Sequence, residues 1–422
     1  MQEVLEAIVE NSEKVREAEI IVGIPSKNEA QTISNVAVTA DLGLQEYFKD
    51  KKAVIINVDN YSTDGTKQAF LSTQTKVPKI YISTPQGVIG KGRNCRNLFQ
   101  AAVELNAKAV VMVDADLISF TPKWIQKLGE PLFQDFDFVS PIYERHKYDA
   151  SITNHFVRPL LQTFFGIQIR QPIGGDFGFS GKLAMAYLAA RSWTENVANF
   201  GIDSWMTINA FMGGFKICQT FLGSSKSHRV KDPAQHLGGM FINVISTVFD
   251  LMIDFEYGWK NVNGSAQPGK IFGFGLGVNE KPPVISVDTA ILHSSFCAGV
   301  EQYKGIWSQV LPKEDLVEVE KLSRLSKSDF YYSTKLWVRI LLNFAVAYRN
   351  KKISREVLIK SMIPFFHSRM LSYVNKTNGW ETLECEEYLE RIYKIHESEK
   401  SNLIKHWDED KIKYCNNLFS FR

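Results

Sequence analysis

The chain has few cysteines and no excess of either charge. Among 422 residues there are 5 cysteines, Cys95, Cys218, Cys297, Cys385 and Cys415. The number is odd, the positions are far apart and no two form a Cys-x-x-Cys pair. That pattern argues against a disulfide framework or a structural zinc site. Buried free thiols in a reducing cytoplasm are expected instead. Lys and Arg total 49 against 46 Asp and Glu, a formal charge of +3. So even a balance gives no global field for nucleic acid, and any anion must be met by a local cluster. Long apolar runs are also missing. Residues 1–18 carry Glu3, Glu6, Glu10, Glu13, Lys14 and Arg16. That is not the pattern of a signal peptide, and a surface helix is expected there. The most apolar segment, 239–255, is broken by Asn243, Asp250 and Asp254. It is shorter than the roughly 20 residues of a membrane span and is predicted to be a buried amphipathic helix. Aromatics, by contrast, are plentiful: 28 Phe alone supply material for a large core.

Short β-branched runs alternate with helical periodicity through the first part of the chain. Strands are predicted at 19–24, 52–58, 80–83 and 109–113, and helices at 29–48, 66–73 and 92–106. This alternation indicates βαβ units and a mostly parallel sheet covered on both faces. Further on, a strand is expected at 139–143, a helix at 152–165 and a Gly-rich loop at 171–180. A helix at 201–212 and an extended segment at 215–222 follow. The stretch 261–283 is rich in Gly and Pro and is the natural boundary. Beyond it, segments such as 336–348, 354–361 and 384–398 read as helices. A catalytic domain over 1–260 and a mainly helical domain over 261–422 are therefore expected.

Four polar clusters follow strands, where open α/β sheets bind ligands. They are Pro25-Ser26-Lys27-Asn28-Glu29, the segment Asp59 to Thr66, Gly90-Lys91-Gly92-Arg93, and Asp114-Ala115-Asp116. The two carboxylates of the last can turn toward one cation, and hard divalent ions prefer such oxygen ligands. Lys91, between two glycines at a helix start, suits a phosphate, although the spacing is not that of a P-loop. Asp64 reads equally well as a base or ribose contact and as a turn with a helix cap. His228 gains meaning if a metal site lacks a ligand that it could complete.

In this order, these residues resemble GT-A nucleotide-sugar glycosyltransferases, specifically the mannosylglycerate synthase and glucosyl-3-phosphoglycerate synthase families. The resemblance rests on Pro25 to Ala30, Asp59 to Thr66, the Gly-Lys-Gly at 90–92 and Asp114 to Trp124. Gln171 to Asp176, Gly201-Ile202-Asp203 and Lys226 to Arg229 complete it. It covers about residues 20 to 230, with a looser likeness around Arg369 to Tyr373. It implies a GT-A, Rossmann-like α/β domain with a mostly parallel sheet and an α-helical C-terminal domain. The implied activity is retaining transfer of mannose or glucose from a GDP-, UDP- or ADP-sugar to the 2-hydroxyl of D-glycerate, or to 3-phosphoglycerate, in compatible-solute synthesis. Pro25, Lys27, Glu29 and Asp59 would hold the nucleotide, and Lys91 the diphosphate. Asp114 would meet the ribose or a metal-bound water, while Asp116 and His228 would ligate Mg²⁺ or Mn²⁺. Gln171, Gly174 and Gly175 would form a loop under sugar and acceptor. Asp176 and Asp203 would lie at the reacting centre, and Arg145, Thr153 and Arg158 would read the acceptor carboxylate. The segment Asp149-Ala-Ser-Ile-Thr153 lacks the arginine that phosphoglycerate enzymes carry, which favours an unphosphorylated acceptor. Neither nucleic acid nor a membrane span is expected. The C-terminal helices would cover the acceptor side or build a homodimer. The alternatives are a GT-A enzyme with a lipid or polysaccharide acceptor, a sugar-phosphate nucleotidyltransferase lacking its usual Gly-rich signature, and a binding protein on the same scaffold.

Overall fold

The computed structural model describes residues 7–228, 233–267, 269–273 and 282–419, with side chains described outside 233–237 and 410–419. The chain forms two compact units. The first contains residues 1–145, 169–247 and 267–283, and the second 146–168, 248–266 and 284–422. The division is thus not a single cut at 260. Residues 146–168 leave the first unit early because their apolar side chains pack among later helices of the second: Phe156 meets Trp337 and Phe366 edge-on, at 4.8 and 5.6 Å between ring centres.

The first unit is built on a sheet whose nine described strands run in the order β1-β4-β3-β2-β5-β7-β6-β8-β9. These are Ile8–Glu10, Ile20–Ser26, Ala53–Asp59, Lys79–Ser83, Ala109–Met112, Phe138–Glu144, Phe177–Ser180, Ile217–Ser225 and Ile271–Phe272, for β1 to β9. The pairs β2–β3, β3–β4, β2–β5, β6–β8 and β8–β9 are parallel, and β7 runs antiparallel between β5 and β6. All seven residues of β2 are buried, as a strand covered on both faces requires. Side chains alternate across it. Val22 and Ile24 join one core with Val36, Leu44, Trp124 and Ile125, from the helices Ile33–Tyr47 and Pro122–Gly129. Gly23 turns the other way, onto Leu98 of the helix Lys91–Glu104.

Three expectations change. Residues 7–18 hold no helix; Ile8–Glu10 instead pairs antiparallel with β4, whose otherwise unpaired edge offers N–H and C=O partners to an extended segment. Residues 1–6 lie outside the described set. The Gly-rich loop ends sooner than expected, since 177–180 is strand β7. Cys297 is half-buried, while Cys95, Cys218 and Cys385 are buried free thiols; the Cys415 side chain lies outside the described residues. The 261–283 stretch supplies the short edge strand β9, with residues 268 and 274–281 of it not described.

The second unit is helical. Its described helices include Thr289–Val310, Lys313–Leu322, Thr334–Asn350, Arg355–Thr377 and Thr382–Ser398. The predicted helix 152–165 is present, but its ends, Thr153–Val157 and Leu161–Phe165, are wide i→i+5 turns around a short α-helical centre. No described helix is long and apolar enough to cross a membrane.

Candidate functional site

Strand directions decide which side chains meet. Because β2 and β5 are parallel neighbours and β3 lies on the other side of β2, their C-terminal ends flank a switch point. Asp114 leaves the end of β5 there. Strand β7 is antiparallel to β5, with Phe177 opposite Met112, so the residue before β7, Asp176, arrives at the same edge. Strands β6 and β8 are parallel and bring Tyr143 and Lys226 to that edge from their C-terminal ends. Four distant stretches of sequence are thereby gathered.

The result is a chain of alternating charges. The Asp114 carboxylate receives Lys91 on Oδ1 at 3.0 Å and Lys226 on Oδ2 at 2.9 Å. Lys226 also donates to Asp176 Oδ2 and to the Gly174 carbonyl, both at 2.7 Å. Asp176 accepts the Asp114 backbone N–H at 2.9 Å and the Tyr143 hydroxyl. Burial opposes the charge on Asp114, but Lys226 and Lys91 overcome it and hold the carboxyl well below its usual range. Burial and the Asp176 charge together push the Tyr143 hydroxyl far up, so it stays a donor. Gly175 is needed within this knot. Its φ is +83°, and a Cβ would stand 2.3 Å from Asp114 Oδ2.

Lys91 reaches further, to Asp203 Oδ2 at 3.3 Å. Burial raises the pKa of Asp203, and its Oδ1 has no hydrogen-bond partner. The glycines around Lys91 also serve packing. A Cβ on Gly92 would lie 1.9 Å from the Val197 carbonyl, and one on Gly90 2.2 Å from that of Ala198. They admit the segment 197–201, which leads directly into the helix Ile202–Met212 and so sets Asp203 beside Lys91. Arg93 secures the same approach through both oxygens of Glu195, at 2.9 Å each.

Asp116 is the third acid of the edge. The 114–119 turn is tied to 227–228: Ser227 donates to Ser119 Oγ, Ile118 donates to the Ser227 carbonyl, and Leu117 bridges His228. His228 Nδ1 thereby lies 3.8 Å from Asp116 Oδ1. Ligand atoms of Asp114, Asp116 and His228 all fall within 4.8 Å of one another. Desolvation by the surrounding loop, with the Lys226 charge, lowers the imidazole pKa although its outer edge is open; a neutral ring is the form that ligates a metal. Both Asp114 oxygens are occupied by lysines, so Asp116 and His228 are the direct donors this set offers. Two such donors plus substrate phosphates suit Mg²⁺ or Mn²⁺. Arg229 lies outside the described residues.

The loops expected to hold a nucleotide are knitted to each other. Asp59 is fully buried and accepts Ser26 Oγ, Ser62 Oγ, Ser62 N–H and Tyr81 Oη. Lys27 donates to the carbonyls of Asn60 and Tyr61 at 2.8 and 3.0 Å. Asp64 accepts from Thr66 and from the Ala30 N–H, beside the helix whose N-cap is Gly65. Pro25 is buried within β2, and Glu29 is 3 % exposed. Gln171 is buried and its side-chain amide has no partner on either atom.

Two residues stand differently from expectation. Asp176 is 0 % exposed and accepts from three donors, the Asp114 N–H, the Tyr143 hydroxyl and Lys226. Arg158, in the second unit, has its charge answered by Glu390 at 2.6 Å and Glu386 at 3.9 Å. Thr153 is buried in that same unit, and Arg145, in the first, lies 5.0 Å from the centre of the Tyr143 ring. The sequence reading left Lys226 and Tyr143 without roles. A lysine directly after a strand, inside a quoted motif, was the available signal.

Comparison with known proteins identifies a family over much of this segment. A family model described as mannosylglycerate synthase, GT domain, matches residues 27–250. Mannosylglycerate synthase of Selaginella moellendorffii is 26% identical over 149 residues, 34% of this chain and 35% of that protein. The enzyme of that name from Rhodothermus marinus is 28% identical over 142 residues, 33% and 36% of the two chains. The chain thus spans about a third of the length of the curated relatives it matches. Among solved structures, glucosyl-3-phosphoglycerate synthase from Mycobacterium tuberculosis, in complex with Mg²⁺ and uridine-diphosphate, is 24% identical, with a TM-score of 0.43 over 55% of this chain and 78% of that one.

Proposed function

The chain belongs to the family of mannosylglycerate synthase GT domains, and from that membership we propose that it is a retaining, metal-dependent glycosyltransferase. It transfers mannose or glucose from a nucleoside-diphosphate sugar to the 2-hydroxyl of D-glycerate. The observation that carries the reading is the Asp114, Asp116 and His228 group, with Lys91 and Lys226 upon it.

Asp116 and His228 would hold Mg²⁺ or Mn²⁺ together with the donor diphosphate, and such an ion would supply positive charge near the leaving group. Lys91 leaves Asp114 and Asp203 for the diphosphate, adding a preorganised charge at the same place. Lys226 stays with Asp176 and keeps Asp114 ionised and aimed at the ribose or at a metal-bound water. Lys27, Glu29, Asp59 and Pro25 shape the nucleotide loop; of these, Asp59 acts through its hydrogen bonds to Ser26 and Ser62. Gln171, whose amide is unanswered, Gly174 and Gly175 line the hexose. Arg145 reads the acceptor carboxylate, whereas the Arg158 guanidinium is held by Glu390 and Glu386. Lys147, which donates to the carbonyls of Thr377 and Trp380, is not free to bind an acceptor phosphate. That supports glycerate over its phosphorylated form.

Asp203 is assigned to placing Lys91 before the donor binds, not to nucleophilic attack. Same-face substitution follows, with the departing phosphate taking the acceptor proton. The test is transfer from GDP-mannose, GDP-glucose, UDP-glucose and ADP-glucose to D-glycerate and 3-phosphoglycerate, with Mg²⁺ or Mn²⁺, read by mass spectrometry and anomeric NMR. An α-linked hexosylglycerate from an α-linked donor is expected. An inverted product, preference for 3-phosphoglycerate, or transfer only to a lipid or polysaccharide would overturn the respective part. A glycosyl adduct trapped on Asp203 would refute same-face substitution.

A further inference from the structure

The helical unit contains two buried arginines that are treated in opposite ways. Arg158 is 6 % exposed and is met by two carboxylates, Glu390 and Glu386. Arg369, on the helix Arg355–Thr377, is 1 % exposed, and its Nε and Nη2 have no hydrogen-bond partner. Among the described residues no carboxylate pairs with it and no ring face stacks on it. A guanidinium taken out of water without a counter-charge is strongly unfavourable; Arg158 has carboxylates to answer its charge, although its Nε and Nη1 also lack hydrogen-bond partners.

Two histidines share the surroundings of Arg369. His155 is 2 % and His396 1 % exposed, and the Arg369 charge acts on both rings. His155 meets Tyr373 edge-on at 4.7 Å between ring centres, and Tyr373 lies one helical turn beyond Arg369 on the same face. His155 Nδ1 and both ring nitrogens of His396 lack partners. Burial, with the Arg369 charge, keeps both rings neutral, His396 with its pKa pushed down to about 3. A neutral imidazole still carries one N–H to donate. Three segments, 153–157, 355–377 and 382–398, therefore each bring an unanswered buried polar group toward the same place.

We propose that Arg369, His155 and His396 form an internal site for a small oxyanion, a carboxylate or a phosphate. The guanidinium fork takes two oxygens side by side, and each imidazole donates to a remaining one. Depth of burial restricts the ligand to a free small anion, since a peptide, a lipid headgroup or a nucleic acid could not reach the group. The site does not use the Asp114, Asp116 and His228 group.

The test is calorimetric unfolding of the full chain with EDTA, in buffer free of phosphate and carboxylates, while phosphate or acetate is added separately. One of the two anions is expected to raise the midpoint by about 2–5 °C, with saturation. Arg369→Met should abolish the rise and His396→Phe should at least halve it. Lys91→Met, which removes the proposed diphosphate contact in the first unit, should retain it. Acetate alone acting marks a carboxylate site; phosphate alone acting marks a phosphate site. No rise with either anion, or an undiminished rise in both Arg369→Met and His396→Phe, overturns the proposal. A loss of the rise in Lys91→Met but not in His396→Phe would do so as well. Should Arg369→Met not fold, His396→Phe and Arg369→Lys carry the same comparison.

Discussion

The ammonium of Lys226 sits between Asp114 and Asp176, with 2 % of its side chain exposed. Removing it leaves the buried Asp176 carboxylate facing the partly buried one of Asp114. Lys226→Met should therefore cost about 3–5 kcal/mol of stability, measured by urea unfolding. The pH dependence has a definite sign. Asp114 is held below its usual range, so its contribution is complete above the ordinary carboxylate pKa of about 4 and is lost as pH falls through the lowered folded value. Without Lys226 that lowering shrinks, and acid unfolding should begin at higher pH than in the wild type. The metal donors give a separate prediction. Asp116→Ala should lower kcat at least about a hundredfold, the scale of losing one electrostatic stabiliser of the leaving group. His228→Ala should raise the Mg²⁺ or Mn²⁺ concentration needed for half-activity. Full activity of Asp116→Ala in EDTA would be incompatible with this assignment. Asp114 and Asp116 were legible because two acids end an apolar strand. Tyr143 was not, because an aromatic inside a strand looks the same whether its hydroxyl binds a carboxylate or faces solvent.

At the scale of elements, the close approach of the helix Lys91–Glu104 to residues 197–201 couples packing to chemistry. Gly92→Ala should destabilise the protein by about 1–3 kcal/mol, the usual cost of overpacking. It should also reduce kcat, because the shift of 197–201 carries Asp203 away from Lys91. Unchanged kinetics together with unchanged stability would show that the 1.9 Å approach is relieved without moving Asp203. Helix and strand types were readable from period and β-branching: the strands expected at 52–58 and 80–83 occur as Ala53–Asp59 and Lys79–Ser83. The antiparallel strand β7 was not readable. Its Phe177-Gly178-Phe179-Ser180 follows a Gly-rich turn, and a strand of four residues gives too short an alternation to stand out. The glycines beside Lys91 were visible, but their partner, a carbonyl about a hundred residues later, has no mark in the sequence.

For the whole molecule, the two units share the chain in alternation. A polypeptide ended at residue 260, the boundary suggested by composition, would keep 146–168 and 248–260 without the helices that cover them. Phe156 would lose Trp337, and Arg158 would lose Glu390. Such a fragment is expected to aggregate or to unfold without a cooperative transition in calorimetry; a soluble fragment with a sharp transition would contradict this. The Gly/Pro-rich stretch is real, but it marks a change of composition. A unit is defined by which apolar faces bury one another, and those of 146–168 find their partners almost two hundred residues later.

The sequence by itself determined the α/β class, the alternation of strands and helices, the acidic pair at a strand end and the absence of a global charge field. Each of these depends on neighbours a few residues apart, through backbone period, strand propensity or net composition. Only the tertiary structure decided that Lys226 and Tyr143 complete the acidic edge, that Asp59 and Asp176 accept from groups of the protein itself, and that the charge of Arg158 meets carboxylates while that of Arg369 does not. The physical reason is the same throughout. Strand order and direction set which distant side chains share a volume, and burial then makes their charges matter far more than they would in water.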